Sequence, residues 1–469
     1  ISQMANDCTD REDLRDELII TIDPENARDF DDALSVKHFP DGRRILGVHI
    51  ADVSHFVRKN SLIDKEALKR GTSVYFPDNV LPMLPEQLSN NICSLKPNVD
   101  RLTFSVFLEY DPDGYLIKHR FSKSIIRSRQ RLTYEQVMKV INGDGHSQIS
   151  VPVRNLILAL HKLAMQLRNE RFKRNALNID LPEIEVKVNN KGIVTEIKTS
   201  FQDASHQLVE ECMIAANEAV ASELYQHSIP LISRYHAAPL NSDIEKLQKH
   251  LHTIGIFPGN LKDPNKLAKF LLSLGNDLTS YHIKLSVLKS MRRAIYSATD
   301  HGHFGLAKEH YCHFTSPIRR YPDLIVHRQL TSLLERDNSR LDYFYKRNEL
   351  INLAEHCSQC EQTAADAERN ADEIKIYRFI EKMLEKGEHP IFDGVIMAVT
   401  ANGIFVEMPF FQLEGYIPRY CDKNSLFSYN PRRHLLKVGK VVYKAGQHIK
   451  VNVVAVDTDR RRITLSLGQ

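Results

Sequence analysis

The chain has 469 residues, 42% of them hydrophobic and 26% charged, which gives room for two or three domains and ample material for a core. It shows no run of 18 or more apolar residues and no signal-peptide pattern, so the expectation is a cytoplasmic protein without membrane contact. Its net charge of +4 predicts no nucleic-acid partner by itself, but residues 388–469 hold eleven basic against seven acidic residues, while the rest is balanced at 52 of each.

Residues 1–16 are polar and acidic and read as a linker remnant; the start at Ile1, without an initiator methionine, is the pattern of a fragment or processed product. The next stretch, ELIITIDPENARDFDDALSV (17–36), organises the chain. Leu18, Ile19, Ile20 and Ile22 predict one strand and the run from Ala33 to Val36 another, with Asp23, Asp29, Asp31 and Asp32 between them. Two carboxylates at about 4 Å repel by roughly 4 kcal/mol at an effective dielectric near 20. Four aimed at one point by flanking strands call for a cation, and Mg²⁺ suits an all-oxygen set that leaves positions for water and phosphate. A solvated acidic turn is the plain alternative, although the aspartates sit in apolar sequence. A calcium EF-hand loop is excluded because Leu34 stands where the sixth-position glycine belongs.

Alternation around Leu46, Val48 and Ile50 predicts a half-buried strand, and two more strands flank the turn at residues 111–114. A short helix is expected over 64–70, an extended run over 72–76, a hairpin around Gly192, and helices over 134–142, 153–174, 205–227, 242–254, 264–273, 281–296, 318–335 and 343–386. The architecture is therefore α+β up to residue 386. From 387 the pattern turns to short strands with glycine turns, an all-β five-stranded OB-fold barrel. Tyr416, Phe427, Tyr429 and Tyr443 alternate there with Arg419, Lys423, Arg432 and Arg433, a mixture that stacks bases and neutralises phosphates, while Phe405 is expected in the barrel core. The seven cysteines, odd in number and scattered, fit a reducing compartment, and the lone Cys357/Cys360 pair in a helical pattern argues against zinc.

TIDPENARDFDDA resembles the signature of the ribonuclease II/ribonuclease R (RNB) family of exoribonucleases, and the blocks GTSVYFP, MLPEQLSNNICSL, RLTYEQV, LVEECMIAAN and HFTSPIRRYPDLIVHR follow in the family's order. The resemblance implies a linker remnant (1–16), an RNB catalytic domain (17–386) and an S1-type OB-fold RNA-binding domain (387–469). Family members usually carry cold-shock modules ahead of these. The implied activity is processive, sequence-independent 3′-to-5′ hydrolysis of single-stranded RNA with a free 3′ end, using two Mg²⁺ ions (or Mn²⁺) and releasing 5′-mononucleotides. SPIRRYPD leans towards the ribonuclease R branch, whose members degrade structured RNA. Matched onto the family pattern, Asp23, Asp29, Asp31 and Asp32 hold the metals, with Asp32 most tied to cleavage. Asp31, Arg319 and Tyr134 join it at the reacting phosphate; Tyr75 stacks on the terminal base, Glu210 contacts the terminal sugar, and Arg320 takes a phosphate. Tyr416, Arg419 and Lys423 contact RNA on the barrel. Pro317 is expected in the first turn of a helix whose start favours anions, whereas a plain surface helix would pair its arginines with Asp323. At a family position that is often aromatic stands Ile179, which implies a looser grip on the last bases. His303 and His313 are expected to be structural. The chain is expected to act as a monomer or within RNA-decay machinery. The rivals are a non-catalytic RNA-binding scaffold of the same fold, an endonuclease, and a subunit of a larger decay complex.

Overall fold

The computed structural model describes residues 10–144, 149–299, 301–335, 344–419, 427–431, 435–438 and 441–468. Alternating apolar residues in the N-terminal third build β1 (Glu12–Leu14), β2 (Ile20–Asp23), β3 (Asp32–His38) and β4 (Arg44–Ala51). Two short helices follow, α1 (Val53–Phe56) and α2 (Leu62–Arg70), then a small hairpin of β5 (Val74–Tyr75) and β6 (Val80–Leu81). The strands β7 (Asp100–Tyr110), β8 (Leu116–Arg127) and β9 (Gln130–Thr133) complete a seven-stranded sheet in the order β1-β8-β7-β4-β3-β2-β9. Its middle is antiparallel, as expected, but β1 and β9 close the two edges in parallel. The end of the stretch read as linker is thus built into the domain: β1 pairs with β8, and Arg11 makes a buried 2.7 Å ion pair with Asp52.

Helices cover both faces. They are α3 (Tyr134–Ile141), α4 (Val151–Lys173), α5 (Ala204–Gln226), α6 (Asn241–Thr253), α7 (Pro264–Leu272), α8 (Leu278–Ser290), α9 (Tyr321–Leu334) and α10 (Arg347–Glu385). Between them lie the hairpin β10 (Glu183–Val188) and β11 (Val194–Ser200) and the pair β12 (Ser233–Tyr235) and β13 (Ile295–Ser297). On one sheet face, Ile20, Leu34, Val48 and Val106 pack against Leu160 of α4, Cys212 of α5 and Leu330 of α9. On the other, Ala33, Ala51 and Val53 meet Leu324 and Ile325 of α9 and Leu350 of α10. The helix expected over 281–296 stops at Ser290, because residues 295–297 are drawn off as a strand against 233–235. The helix expected over 318–335 begins at Tyr321, with Pro322 in its first turn; Pro317 lies outside it. No helix among the described residues is long and apolar enough to cross a membrane.

The C-terminal region is a closed barrel in the order β14-β15-β16-β21-β20, from β14 (Ile391–Val399), β15 (Gly403–Met408), β16 (Leu413–Pro418), β20 (His448–Asp457) and β21 (Arg462–Leu467). A separate three-stranded sheet, β17 (Phe427–Asn430), β18 (Leu435–Val438) and β19 (Val441–Tyr443), lies between β16 and β20 in sequence. Strand alternation puts Ile404 and Val406 inside the barrel, so Phe405 faces outward instead of into the core, half-buried against Tyr416 at a ring distance of 5.0 Å. The barrel core continues into Ile376, Tyr377 and Ile380 of α10 and Ile197 of β11, which seat the barrel on the α+β body.

Candidate active site

The site is built from short segments far apart in sequence that are strapped together by backbone hydrogen bonds. Asp23 ends β2 and Asp32 begins β3, so the sheet fixes both ends of the acidic loop. The loop between is held from outside. Ser94 donates its hydroxyl to Arg28 O (2.7 Å) and accepts from Phe30 N–H (3.1 Å), Leu95 N–H donates to Phe30 O (3.0 Å), and Arg131 donates to the carbonyls of Pro24 and Glu25. The segment that ends at Arg319 is tied in turn to residues 71–73: Ser73 N–H and Thr72 Oγ1–H both donate to Arg319 O, at 2.9 and 3.1 Å.

These straps bring Asp23, Asp29, Asp31, Asp32, Tyr75, Tyr134 and Arg319 onto the wall of one cavity of about 780 Å³. Tyr75 donates its hydroxyl to Asp29 Oδ2 (3.2 Å), and its backbone N–H is held by Glu368 of α10 (2.6 Å). Asp31 joins the two halves of the site. Its Oδ1 accepts from Ile318 N–H at 2.9 Å, and its Oδ2 lies 3.6 Å from Arg319 Nε. Arg319 is steadied by a bond to Ser316 Oγ (3.1 Å) and keeps 42% of its side chain exposed, so the guanidinium can meet a second anion. Tyr134 opens α3 behind a capping box of Thr133 and Gln136.

The electrostatics of the wall are unfavourable as they stand. Burial, then the charge of Asp32, pushes the Asp23 carboxyl above its ordinary range, and Asp23 Oδ2 is buried without a hydrogen-bond partner. Burial likewise raises Asp32, with Arg319 pulling the other way, and raises Asp31 well above normal against Arg319 and the Ile318 N–H. Among the described residues no group of three or more His, Cys, Asp or Glu side chains is already arranged to hold a metal ion, so the aspartates form a lining and not a finished cage. The donor set nevertheless fits a hard divalent cation. It is all carboxylate, and it holds an orphaned buried oxygen whose cost a positive charge would remove.

The other sequence candidates lie elsewhere. Arg320 is the N-cap of α9, half-buried, and donates to Asp323 Oδ1 (2.7 Å), the pairing expected of a plain surface helix, except that Asp323 is wholly buried. Because α9 starts at Tyr321 and the Ile318 N–H is taken by Asp31, the expected anion site after Pro317 is not formed. Glu210 sits on α5, paired with Arg168 (3.1 Å), and does not line the cavity. Ile179 packs half-buried against the cluster of α6, α7 and α8. His313 is half-buried and bonded to the Tyr296 hydroxyl (2.9 Å), and His303 caps a short turn by accepting from Leu306 N–H. Tyr416 donates to Asn402 O (2.6 Å) and the Arg419 backbone to the same oxygen (2.8 Å), so both belong to one end of the barrel; Lys423, Arg432 and Arg433 lie outside the described residues. Sequence reasoning passed over Ser94, Ser316, Arg131 and His206. The first three stand in or beside the quoted blocks, whereas His206 reaches Tyr134 only through tertiary packing.

The RNB domain family model matches residues 11–336, and the S1 RNA binding domain model matches residues 385–468. The chain is 40% identical to Ribonuclease R of Thermotoga maritima over 98% of its own length and 65% of that protein. It is 36% identical to Ribonuclease R of Escherichia coli over 97% of its own length and 57% of that protein, and so spans less than two thirds of either relative. Among solved structures, Mycoplasma genitalium RNase R in complex with ribose-methylated single-stranded RNA superposes with a TM-score of 0.88 at 30% identity, covering 99% of this chain and 74% of that one.

Proposed function

The chain belongs to the RNB family, with an S1 domain after the RNB domain, and from that premise we propose that it is a metal-dependent exoribonuclease that hydrolyses single-stranded RNA processively from the 3′ end to 5′-mononucleotides. The observation that carries this reading is the gathering of four aspartates, Arg319, Tyr75 and Tyr134 on one cavity wall from segments up to nearly 300 residues apart. Asp23, Asp29, Asp31 and Asp32 would hold Mg²⁺ (or Mn²⁺), Asp31 also anchoring the arginine segment. Bound at those carboxylates, one or two such ions would relieve charge at the phosphate and ease deprotonation of the attacking water.

The chain's own groups do the rest. Arg319 offers its exposed guanidinium edge to the scissile phosphate while Asp31 and Ser316 fix its direction. Tyr75, 39% exposed at the cavity wall, gives the terminal base a ring to stack on, and Asp29 holds its hydroxyl. Tyr134 lines the same wall as Asp23 and Asp32, where burial and then the charges of Asp32 and Asp23 raise its pKa and keep it protonated as a donor. The barrel's basic surplus and outward aromatics feed the strand in.

The test is a time course on 5′-labelled single-stranded RNA with Mg²⁺, run beside Asp32→Asn. The expected result is direct conversion of full-length RNA to one very short labelled product, with the variant slower by roughly two orders of magnitude or more but still binding RNA. Binding without cleavage by both proteins, in Mg²⁺ and in Mn²⁺, would instead make the chain an RNA-binding scaffold.

A further inference from the structure

Tyr134 stands at the first position of α3, where the capping box of Thr133 and Gln136 fixes its backbone but not its ring. One ring face is covered by the imidazole of His206, with centroids 3.9 Å apart and planes within 15° of parallel. His206 in turn belongs to the first turn of α5. Its Nδ1 donates to Asp203 Oδ1 (2.8 Å), the same oxygen that accepts from the backbone N–H groups of Ser205 (3.0 Å) and His206 (3.3 Å) and so caps the helix. Against its burial, hydrogen bonds from Ser205 and His206 hold the Asp203 carboxyl below its ordinary range, so it stays an acceptor and the ring proton stays on Nδ1. Side-chain torsions about both bonds of the imidazole are therefore set by a helix cap.

From this chain of contacts we propose that His206 is a positioning residue for the proposed cleavage, holding the Tyr134 ring in place on the cavity wall that Asp23 and Asp32 also line. The geometry explains why a stack is needed there. A tyrosine at a helix start has alternative staggered wells open to it, and leaving the present one would move the ring off the wall it shares with the aspartates. A parallel ring against it removes those wells without occupying the cavity, whose wall Tyr134 lines and His206 does not. His206 keeps 39% of its side chain exposed, so the stack and the Asp203 bond, not deep burial, hold it in place.

The inference rests on the exoribonuclease reading, and the experiment separates the two. Cleavage rate on saturated RNA and RNA affinity are measured for the parent, Asp32→Asn, His206→Ala, His206→Phe, Tyr134→Ala and the His206→Ala/Tyr134→Ala double variant, each with its unfolding temperature. His206→Ala should slow cleavage about five- to tenfold with affinity within about twofold, the loss expected when one stacked ring pair goes. His206→Phe, which keeps a flat ring, should recover most of the rate. The double variant should be no slower than Tyr134→Ala alone, since the histidine acts only through the tyrosine. Full activity in His206→Ala, a His206→Phe variant as slow as His206→Ala, or losses that multiply in the double variant would each overturn the positioning role. An inactive parent chain would instead overturn the exoribonuclease reading.

Discussion

Three carboxyls in the cavity wall, Asp23, Asp31 and Asp32, titrate above the ordinary carboxylate range. Between the unfolded value of about 4 and those raised values, the native state keeps protons that the unfolded chain has released, so their contribution to stability falls as pH rises through that window. Buried histidines such as His49 and His327, whose pKa burial lowers, act in the opposite sense and hide the effect in a simple melting curve. The difference between the parent and Asp23→Asn removes the histidine contribution. With EDTA present, the asparagine variant should melt close to the parent near pH 4 and increasingly above it up to pH 8. Mg²⁺ at pH 8 should then raise the parent by more than the variant, because the cation binds only the folded carboxylate set. A constant difference across pH would show that Asp23 does not carry the strain, and equal Mg²⁺ shifts would show that it does not hold the ion. These carboxylates could be picked out in the sequence because they fall within ten positions of one another between two apolar runs. The Asp203–His206–Tyr134 stack was not, since its partners are some 70 residues apart and nothing local marks them.

Helix α9 shows what a single element contributes to the site. Residues from Tyr321 to Thr331 are buried around its whole circumference, including Arg328, whose guanidinium donates to Asp64 Oδ1 (2.6 Å), Tyr345 OH (2.6 Å) and Val57 O (2.7 Å). Tyr321 donates its hydroxyl to the same Asp64 oxygen (2.9 Å), so α9 is clasped to α2 at the end that carries Arg319 and Arg320. Removing one partner of a buried pair leaves an unpaired charge, at a cost of about 3–5 kcal/mol. Arg328→Ala should therefore lose about that much in urea unfolding, and Asp64→Asn somewhat less, because an amide oxygen still accepts. An Arg328→Ala loss below about 1 kcal/mol would mean that the clasp is not what anchors the helix. The sequence placed α9 three residues early because Pro317 looked like a first-turn proline. The actual first-turn proline is Pro322, and the intervening turn is spent on the Asp31 contact, a tertiary bond that no local pattern announces.

The strands and glycine turns after residue 387 made the barrel legible from sequence, because strand alternation is a local property. How it joins the rest was not legible. Ile376, Tyr377 and Ile380 on the last turns of α10 and Ile197 on β11 look like ordinary helix and strand positions until the barrel core closes over them. His448 at the start of β20 also meets Thr279 of α8 (3.1 Å), so the barrel is braced on two sides of the body that holds the aspartates. On the proposed exoribonuclease reading, a barrel held in this way would pass a strand inward by charge, and its basic surplus would give RNA affinity a salt dependence that the acidic cavity cannot supply. Replacing Arg419 by Gln should weaken single-stranded RNA binding, measured with Asp32→Asn so that the RNA survives. It should also reduce the slope of log affinity against log salt by about 0.7, the value for one lost phosphate contact on a single strand. Cleavage of RNA already bound should keep its rate, since Arg419 lies on the barrel and not on the wall of the aspartate cavity. An unchanged slope with unchanged affinity would place the strand's path off this end of the barrel. A slower cleavage rate at saturation would show that the barrel aligns the strand in the site as well as capturing it.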